Sequence, residues 1–381
     1  MDKTVRVAVV RSDNRRGAAA QALALIADDL RACVTPEVLV KPNLVSHRDQ
    51  RPSTHADILS ASLDSLFAAG ARHVTVAEGA SDATAGFERF GYRREVFGRP
   101  VDFLDLNRDE HEWESLELSG VDGSTRSARL SRTIAQSSCR VSLALAKTHV
   151  TAMVTFSLKN MLSSIHLSDR IMMHGHAAGG NGYGGWKKLV VDFLKQDNVA
   201  VNRLTRLMGR VKNARTVCRA WLGRDTFESL SIADLAYLRS VEAMNRNLVT
   251  LASRVKPHVS VVDGFMAMHR EGPKHGTPAK LGTVIAGTDA VAVDSVAAAV
   301  MGFDPHRIGY LHYAQAAGLG VADLTRIEIL GDPIEQVKRN LVPHSNHAVQ
   351  RHWDRLPALA TSYRGPHHQH RSACPGKVGS S

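Results

Sequence analysis

In the stretch LAKTHVTAMVTFSLKNM, residues 145–161, an apolar run ends abruptly in Lys147, Thr148 and His149, and Ser157, Lys159 and Asn160 follow. Amines, an imidazole, hydroxyls and an amide crowd the point where a buried strand gives way to a helix. Those groups suit a small anion. A lysine can hold a carboxylate or phosphate as a plain cation, or act as base or nucleophile once desolvation lowers its pKa. Anion binding is the simpler role for Lys147 and Lys159. His149 is the candidate general acid/base, because an unperturbed imidazole titrates close to neutrality. Lys147 and Asp263 complete the catalytic candidates, Asp263 as a second base. Ser157 and Asn160 are i,i+3 neighbours on the helix. Lys147 and His149 are expected to converge only if the strand breaks into a turn.

Two further stretches carry polar groups at close spacing. HREGPKHGTPAKLG, residues 269–282, holds Glu271, Gly272, Lys274, His275, Gly276 and Thr277, and its backbone amides can cradle an anion where glycine permits close approach. It is neither GxxxxGK[ST] nor GxGxxG, so neither ATP nor NAD is expected. HLSDRIMMHGH places His174 and His176 one residue apart, a spacing that can chelate a divalent metal on an extended segment. The cysteines Cys33, Cys139, Cys218 and Cys374 form no CxxC pair, so no cysteine-ligated iron–sulfur motif is visible.

The elements that must position these residues read as alternating strands and helices. VRVAVV, EVLVKPNL, HVTVAEGA, CRVSLALAKTH, HVSVVDGFMAM, LGTVIAGTD and LTRIEILGD are strand-like; GAAAQALALIADDLRA, HADILSASLDSLFAAGA and AVAVDSVAAAVMG are helical. An α/β fold follows, with a mostly parallel sheet and flanking helices. Ligands of such sheets bind beyond the carboxyl ends of the strands. The residues just after each run are Lys41 and Asn43, Glu78, Lys147 to His149, Asp263, and Asp289, and parallel strands would bring all of them to one edge. Plain structural roles compete: Asn43 in a turn, Thr54 as the cap of the helix that starts near His55, Asp289 and Asp294 capping and flanking the Ala-rich helix. Residues 1–340 are expected to form one α/β unit, which can be divided into lobes at 1–165 and 240–335. A Gly-rich and basic helical excursion is expected at 177–240, and a disordered His-rich tail at 341–381.

The chain has 381 residues, 44% hydrophobic and 22% charged, with 48 Lys+Arg against 37 Asp+Glu for a net charge of +11. That excess favours anionic partners. Aromatic content of 5%, with no zinc-finger spacing and no RNP-like stretch, makes nucleic acid a poor fit. No apolar stretch approaches the roughly 18–20 residues of a membrane span, and the start lacks a secretory signal. A cytoplasmic protein is expected.

VLVKPNLVS, THADILSASLDSLFAAGARHVTVAEGA, LAKTHVTAMVTFSLKNM and VVDGFMAMHREGPKHGTPAKLGTVIAGTDAVAVDSVAAAVMGFDP resemble, in order, the blocks of the domain of unknown function 362 family, over about residues 35–330. The resemblance implies an α/β domain without a settled general activity. Its motif positions fall at Lys41, Asn43, Lys147, Thr148, His149, Lys159, Asn160, Gly272, Gly276, Asp289 and Asp294. Many relatives carry clustered cysteines and are described as iron–sulfur proteins, which this sequence does not match. The first β-α-β block is also similar to the N-terminal lobe of lactate-racemase-like proteins. Together these readings give an enzyme acting on a small anionic metabolite by elimination, isomerisation or cyclisation, without a nucleotide cofactor. The alternatives are an iron–sulfur redox or assembly protein, and a nucleic-acid or partner-binding protein using the basic 200–230 segment.

Overall fold

β-branched runs alternate with Ala- and Leu-rich segments along the chain, and the computed structural model turns this pattern into strands between helices. It describes residues 4–79, 82–108, 113–178 and 226–356, together with residues 204, 207, 208 and 211. The strands are β1 (Val5–Arg11), β2 (Glu37–Pro42), β3 (His73–Glu78), β4 (Val101–Asp105), β5 (Trp113–Ser119), β6 (Thr125–Ser131), β7 (Arg140–His149), β8 (Met153–Thr155), β9 (Val259–His269), β10 (Thr277–Gly287) and β11 (Ile327–Gly331). The main sheet has the order β11-β1-β10-β9-β7-β2-β3-β4, with β8 paired to β7, and β5–β6 form a separate antiparallel ribbon. This order interleaves residues from 1–165 with residues from 240–335.

Along the main path the pairs β1–β11, β7–β9, β2–β7, β2–β3 and β3–β4 are parallel, while β10 runs antiparallel to both β1 and β9. The reversal has a simple cause. Only residues 270–276 separate β9 from β10, and a parallel crossover needs about a dozen residues or more. The Gly/Pro-rich stretch is therefore a hairpin connection, and whatever follows β10 lies at the opposite edge of the sheet. Thr288 and Asp289 do not join the other strand-end residues.

Period-two alternation divides the core between the two faces. Val7, Val9, Leu39 and Ala144 pack on one side with the helices Ile232–Val255 and Ala290–Val300. Ala8, Val10, Val38, Val40, Val74 and Val76 pack on the other with the helices Arg15–Leu25 and Ala56–Ala68. Every residue of Ala290–Val300 is buried. A small-residue helix that is apolar but for Asp294 and Ser295 belongs inside the molecule.

Part of the tail expected to be disordered is ordered. Residues 341–356 fold back onto the protein, with Gln350 and Trp353 buried and the Trp353 indole N–H donating to the Arg307 carbonyl at 2.9 Å. This segment is held by side-chain hydrogen bonds and short turns, so it leaves no periodic signature. Residues 357–381, and most of the basic excursion expected at 177–240, lie outside the described residues. Among the described residues, no helix is long and apolar enough to cross a membrane.

Candidate functional site

Proline at position 42 cannot donate to the sheet ladder, so β2 stops there and its last side chains meet those of β3 and β7. Lys41 Nζ donates to Glu78 Oε2 at 2.9 Å, to the Pro42 carbonyl at 3.3 Å and to Asn160 Oδ1 at 3.5 Å. Glu78 also accepts from the Leu44 amide at 3.3 Å, the Gly79 amide at 2.7 Å and the Ser163 hydroxyl. The Asn160 amide donates to the Lys41 carbonyl and to Ser142 Oγ, both at 3.0 Å. Asn43 Nδ2 donates to Asn160 Oδ1 at 3.1 Å, and Lys147 Nζ to Asn43 Oδ1 at 2.7 Å and the Pro52 carbonyl at 2.8 Å. Lys41, Glu78 and Lys147 are fully buried.

A buried ion pair is tolerated when its remaining donors and acceptors are also satisfied, and this network supplies those partners. Burial lowers the pKa of Lys41 against the opposing pull of Glu78. It takes Lys147 well below the ordinary lysine range, helped by the nearby charge of Lys159. Lys41, Asn43, Glu78, Lys147 and Asn160 thus form a sealed clamp across three strand ends.

Lys159 lies beside this clamp on the short helix Ser157–Asn160. That helix has Phe156 at its N-cap, which offers no side-chain cap. Asp294 supplies one from the helix Ala290–Val300: its carboxyl accepts the Ser157 amide at 2.8 Å, the Leu158 amide at 3.1 Å and the Tyr310 hydroxyl at 3.4 Å. Burial raises Asp294 to about 7 despite these donors. Lys159 is part-buried and has no hydrogen-bond or ion-pair partner among the described residues. Burial alone lowers its pKa to about 8.

β7 continues through His149, and residues two apart share a strand face, so Lys147 and His149 approach each other without the expected turn. His149 Nδ1 accepts the amides of Thr151 at 3.0 Å and Ala152 at 3.1 Å. Its ring proton therefore resides on Nε2, a tautomer assigned from these hydrogen bonds. Burial, reinforced by the charges of Lys159, His174, His344 and Lys147, holds His149 well below the usual imidazole range. The imidazole is a neutral donor, and its Nδ1 lone pair is already engaged. His174 faces Thr151 Oγ1 at 3.5 Å and is lowered to about 3 by burial and by Lys159. No carboxylate figures among the groups acting on Lys159, His149 or His174.

The loop between β9 and β10 closes one side. Thr148 Oγ1 donates to the Arg270 carbonyl at 2.8 Å, and a Cβ added at Gly272 would lie 2.1 Å from the Thr148 carbonyl oxygen. At Gly276 it would lie 2.3 Å from Met268 Cγ. These glycines serve close backbone packing. Glu271 is buried and accepts Ser345 Oγ at 3.0 Å, with His344 Nε2 at 3.3 Å. Lys274, His275 and Thr277 are part-buried, Thr277 opposite His269 in the hairpin.

Three expectations are corrected. Asp289, at the opposite edge, caps the helix Ala290–Val300 through the Val291 and Ala292 amides at 2.9 and 3.0 Å and also holds the Val321 amide at 3.2 Å. Asp263 lies inside β9, which runs on to His269, on the face of Val259 and Val261; it is 3.5 Å from Arg15 Nε and accepts the Phe265 amide at 3.0 Å. Burial raises it to about 6, and it does not figure among the charges felt by Lys147, His149 or Lys159. His174 and His176 flank Gly175, whose left-handed φ of 77° ends a helical turn, so the extended segment assumed for chelation is missing. Among the described residues, no three His, Cys, Asp or Glu side chains are grouped to hold a metal ion.

Sequence reasoning missed Ser142, Ser163, Thr151, His344 and Gln350, of which only Thr151 lies inside the stretch 145–161. It also gave Thr54 the wrong task. His55 caps the helix Ala56–Ala68, while Thr54 Oγ1 donates to the Leu143 carbonyl at 2.6 Å and accepts the Asn43 amide at 2.9 Å.

Fold and site together define an α/β protein whose strand ends form a sealed polar clamp, beside a lysine that has no partner among the described residues. The chain belongs to the family described as Domain of unknown function (DUF362), whose model matches residues 38–299. Over 80 residues it is 35% identical to thylakoid-associated protein sll1697 of Synechocystis, covering 20% of this chain and 25% of that protein. It is also similar to the lactate racemase apoprotein of Thermoanaerobacterium thermosaccharolyticum, with a TM-score of 0.40 and 12% identity over 78% of this chain and 58% of that one. Nothing about a substrate follows from likenesses of that extent.

Proposed function

We propose that the protein is a cytoplasmic enzyme that binds a small anionic metabolite against Lys159 and moves a proton on it, as in an isomerisation or elimination. The observation that carries this proposal is Lys159 itself: a part-buried cation without a hydrogen-bond or ion-pair partner among the described residues, whose charge is felt by His149 and His174. An amine in that setting lacks the acceptor it would have in water, and a ligand carboxylate or phosphate oxygen supplies one. His149 adds a neutral Nε2–H donor that can stabilise negative charge developing on the ligand. With a pKa of about 8, Lys159 sheds and regains a proton close to neutrality, and this makes it a better proton carrier than His149. Lys41, Asn43, Glu78, Lys147 and Asn160 act as the rigid base of the site.

A panel of small carboxylates, phosphates and sulfates tests this by calorimetry and thermal unfolding, followed by deuterium wash-in from heavy water for each compound that binds. At least one compound is expected to bind the native protein, to bind Lys159→Met more than tenfold less tightly, and to exchange a carbon-bound hydrogen only with Lys159 present. Equal binding to both proteins, or no binding by any member of the panel, overturns the proposal.

A further inference from the structure

Residues 341–356 lie beyond the family domain at 38–299, yet they cross the strand ends that build the site. The segment first pairs with the end of β9. The Arg270 amide donates to the Val342 carbonyl at 3.0 Å, and the Val342 amide to His269 Nδ1 at 3.1 Å. Ser345 and His344 then engage Glu271. Finally Gln350 Nε2 donates to the His149 carbonyl at 2.9 Å and the Val150 carbonyl at 2.6 Å, and lies 3.1 Å from the Tyr237 hydroxyl. One short stretch thereby straps the turn after β7 to the loop after β9.

The Val150 carbonyl and the Thr151 amide belong to the same planar peptide unit. Fixing that carbonyl fixes the direction of the amide N–H, which is one of the two that His149 Nδ1 accepts. Gln350, with the Tyr237 hydroxyl donating to the same Val150 carbonyl, therefore acts on the imidazole without touching it. Its other polar atom, Oε1, is buried with no donor among the described residues. A buried acceptor left unmatched is unfavourable, so the favourable contribution of this side chain comes from its amide nitrogen.

We propose that Gln350 is a positioning residue of the Lys159 site, orienting His149 through the Val150–Thr151 peptide plane, and that the strap 341–356 is a working wall of that site. The functional part rests on the anion-binding role proposed above; the positioning part does not. Gln350→Met in the full chain removes both donations and also the unmatched acceptor, so it separates positioning from bulk stability.

Two readouts apply, both in ligand-free protein: amide hydrogen exchange of the 149–154 segment, and the pH profile of Lys159 labelling by an amine-reactive reagent. Exchange in that segment is expected to rise at least tenfold while distant segments stay unchanged. The Lys159 midpoint is expected to move upward as water reaches the loosened site. Gln350→Glu, which sets a carboxylate against two carbonyl oxygens, should be at least as disruptive. Unchanged exchange and an unchanged Lys159 profile in folded Gln350→Met overturn the inference. If that variant does not fold, Gln350→Asn, too short to span both carbonyls, is read the same way. Anion binding to the native chain that survives at full strength in Gln350→Met, with exchange altered, rejects the wall but keeps the positioning. Altered exchange in a chain whose native form binds no anion leaves the positioning intact and removes the proposed function.

Discussion

Lys159 costs the fold something, and this gives its role a sign. Its native pKa of about 8 lies below the unfolded lysine value of about 10.4. Below pH 8 both states hold the proton and the burial penalty is present in full. Between the two pKa values the unfolded chain binds a proton that the native chain has shed, so stability rises with pH through that window. Lys159→Met is therefore expected to stabilise the protein at pH 7 by about 1–3 kcal/mol in urea unfolding, with the gain fading as pH climbs from 8 to 10. Lys147 behaves in the opposite way. Removing it strands Asn43 Oδ1 and the Pro52 carbonyl and opens a cavity, so Lys147→Ala is expected to destabilise by about 2–5 kcal/mol in the same assay. The residue types at the strand ends were legible in the sequence. What it did not show was which lysine is sealed by partners and which stands alone, because that depends on Asn43, Pro52 and Ser163 arriving from distant positions. For His149 the sequence could not show that two backbone amides occupy Nδ1, which is why the role proposed for it is that of a donor and not a base.

At the scale of elements, the helix Ser157–Asn160 is too short to be stable alone and relies on Asp294 for its cap. Asp294→Ala is expected to cost about 2–4 kcal/mol by leaving two buried amides unpaired, and to weaken anion binding at Lys159 as the helix shifts. Denaturant unfolding and calorimetry on one preparation read both effects. Strand positions followed from β-branched runs, and the helix Ala290–Val300 from its small residues. The direction of β10 was also present in the sequence, in the seven-residue spacing 270–276 between two strands. It was missed because the hairpin loop was weighed as an anion cradle and not for its length. β9 likewise misled: Asp263 follows the apolar run, but the strand continues to His269 and Asp263 packs beside Arg15.

Across the whole molecule, the site gathers at one edge of the sheet, so residues at the other edge, or outside its hydrogen-bond network, should be silent in binding. Asp289→Ala is expected to lose about 1 kcal/mol of stability through its cap and to leave anion affinity unchanged. Asp263→Asn should also leave affinity unchanged, each affinity being measured by calorimetry. The general α/β plan could be read from the alternation of strand and helix patterns. The strap could not, since Val342, His344, Ser345 and Gln350 make their contacts one by one with loops more than seventy residues away in sequence. Nothing in local periodicity marks such a segment as ordered.

The most direct measurement is the pH midpoint of Lys159 in the native protein, read from site-resolved amine labelling with and without a bound small anion. A midpoint near 8 in the free protein that rises on binding, with labelling suppressed at each pH, is the outcome expected of a solitary buried cation receiving its counter-charge. A midpoint at the ordinary lysine value, indifferent to every anion tried, would contradict it.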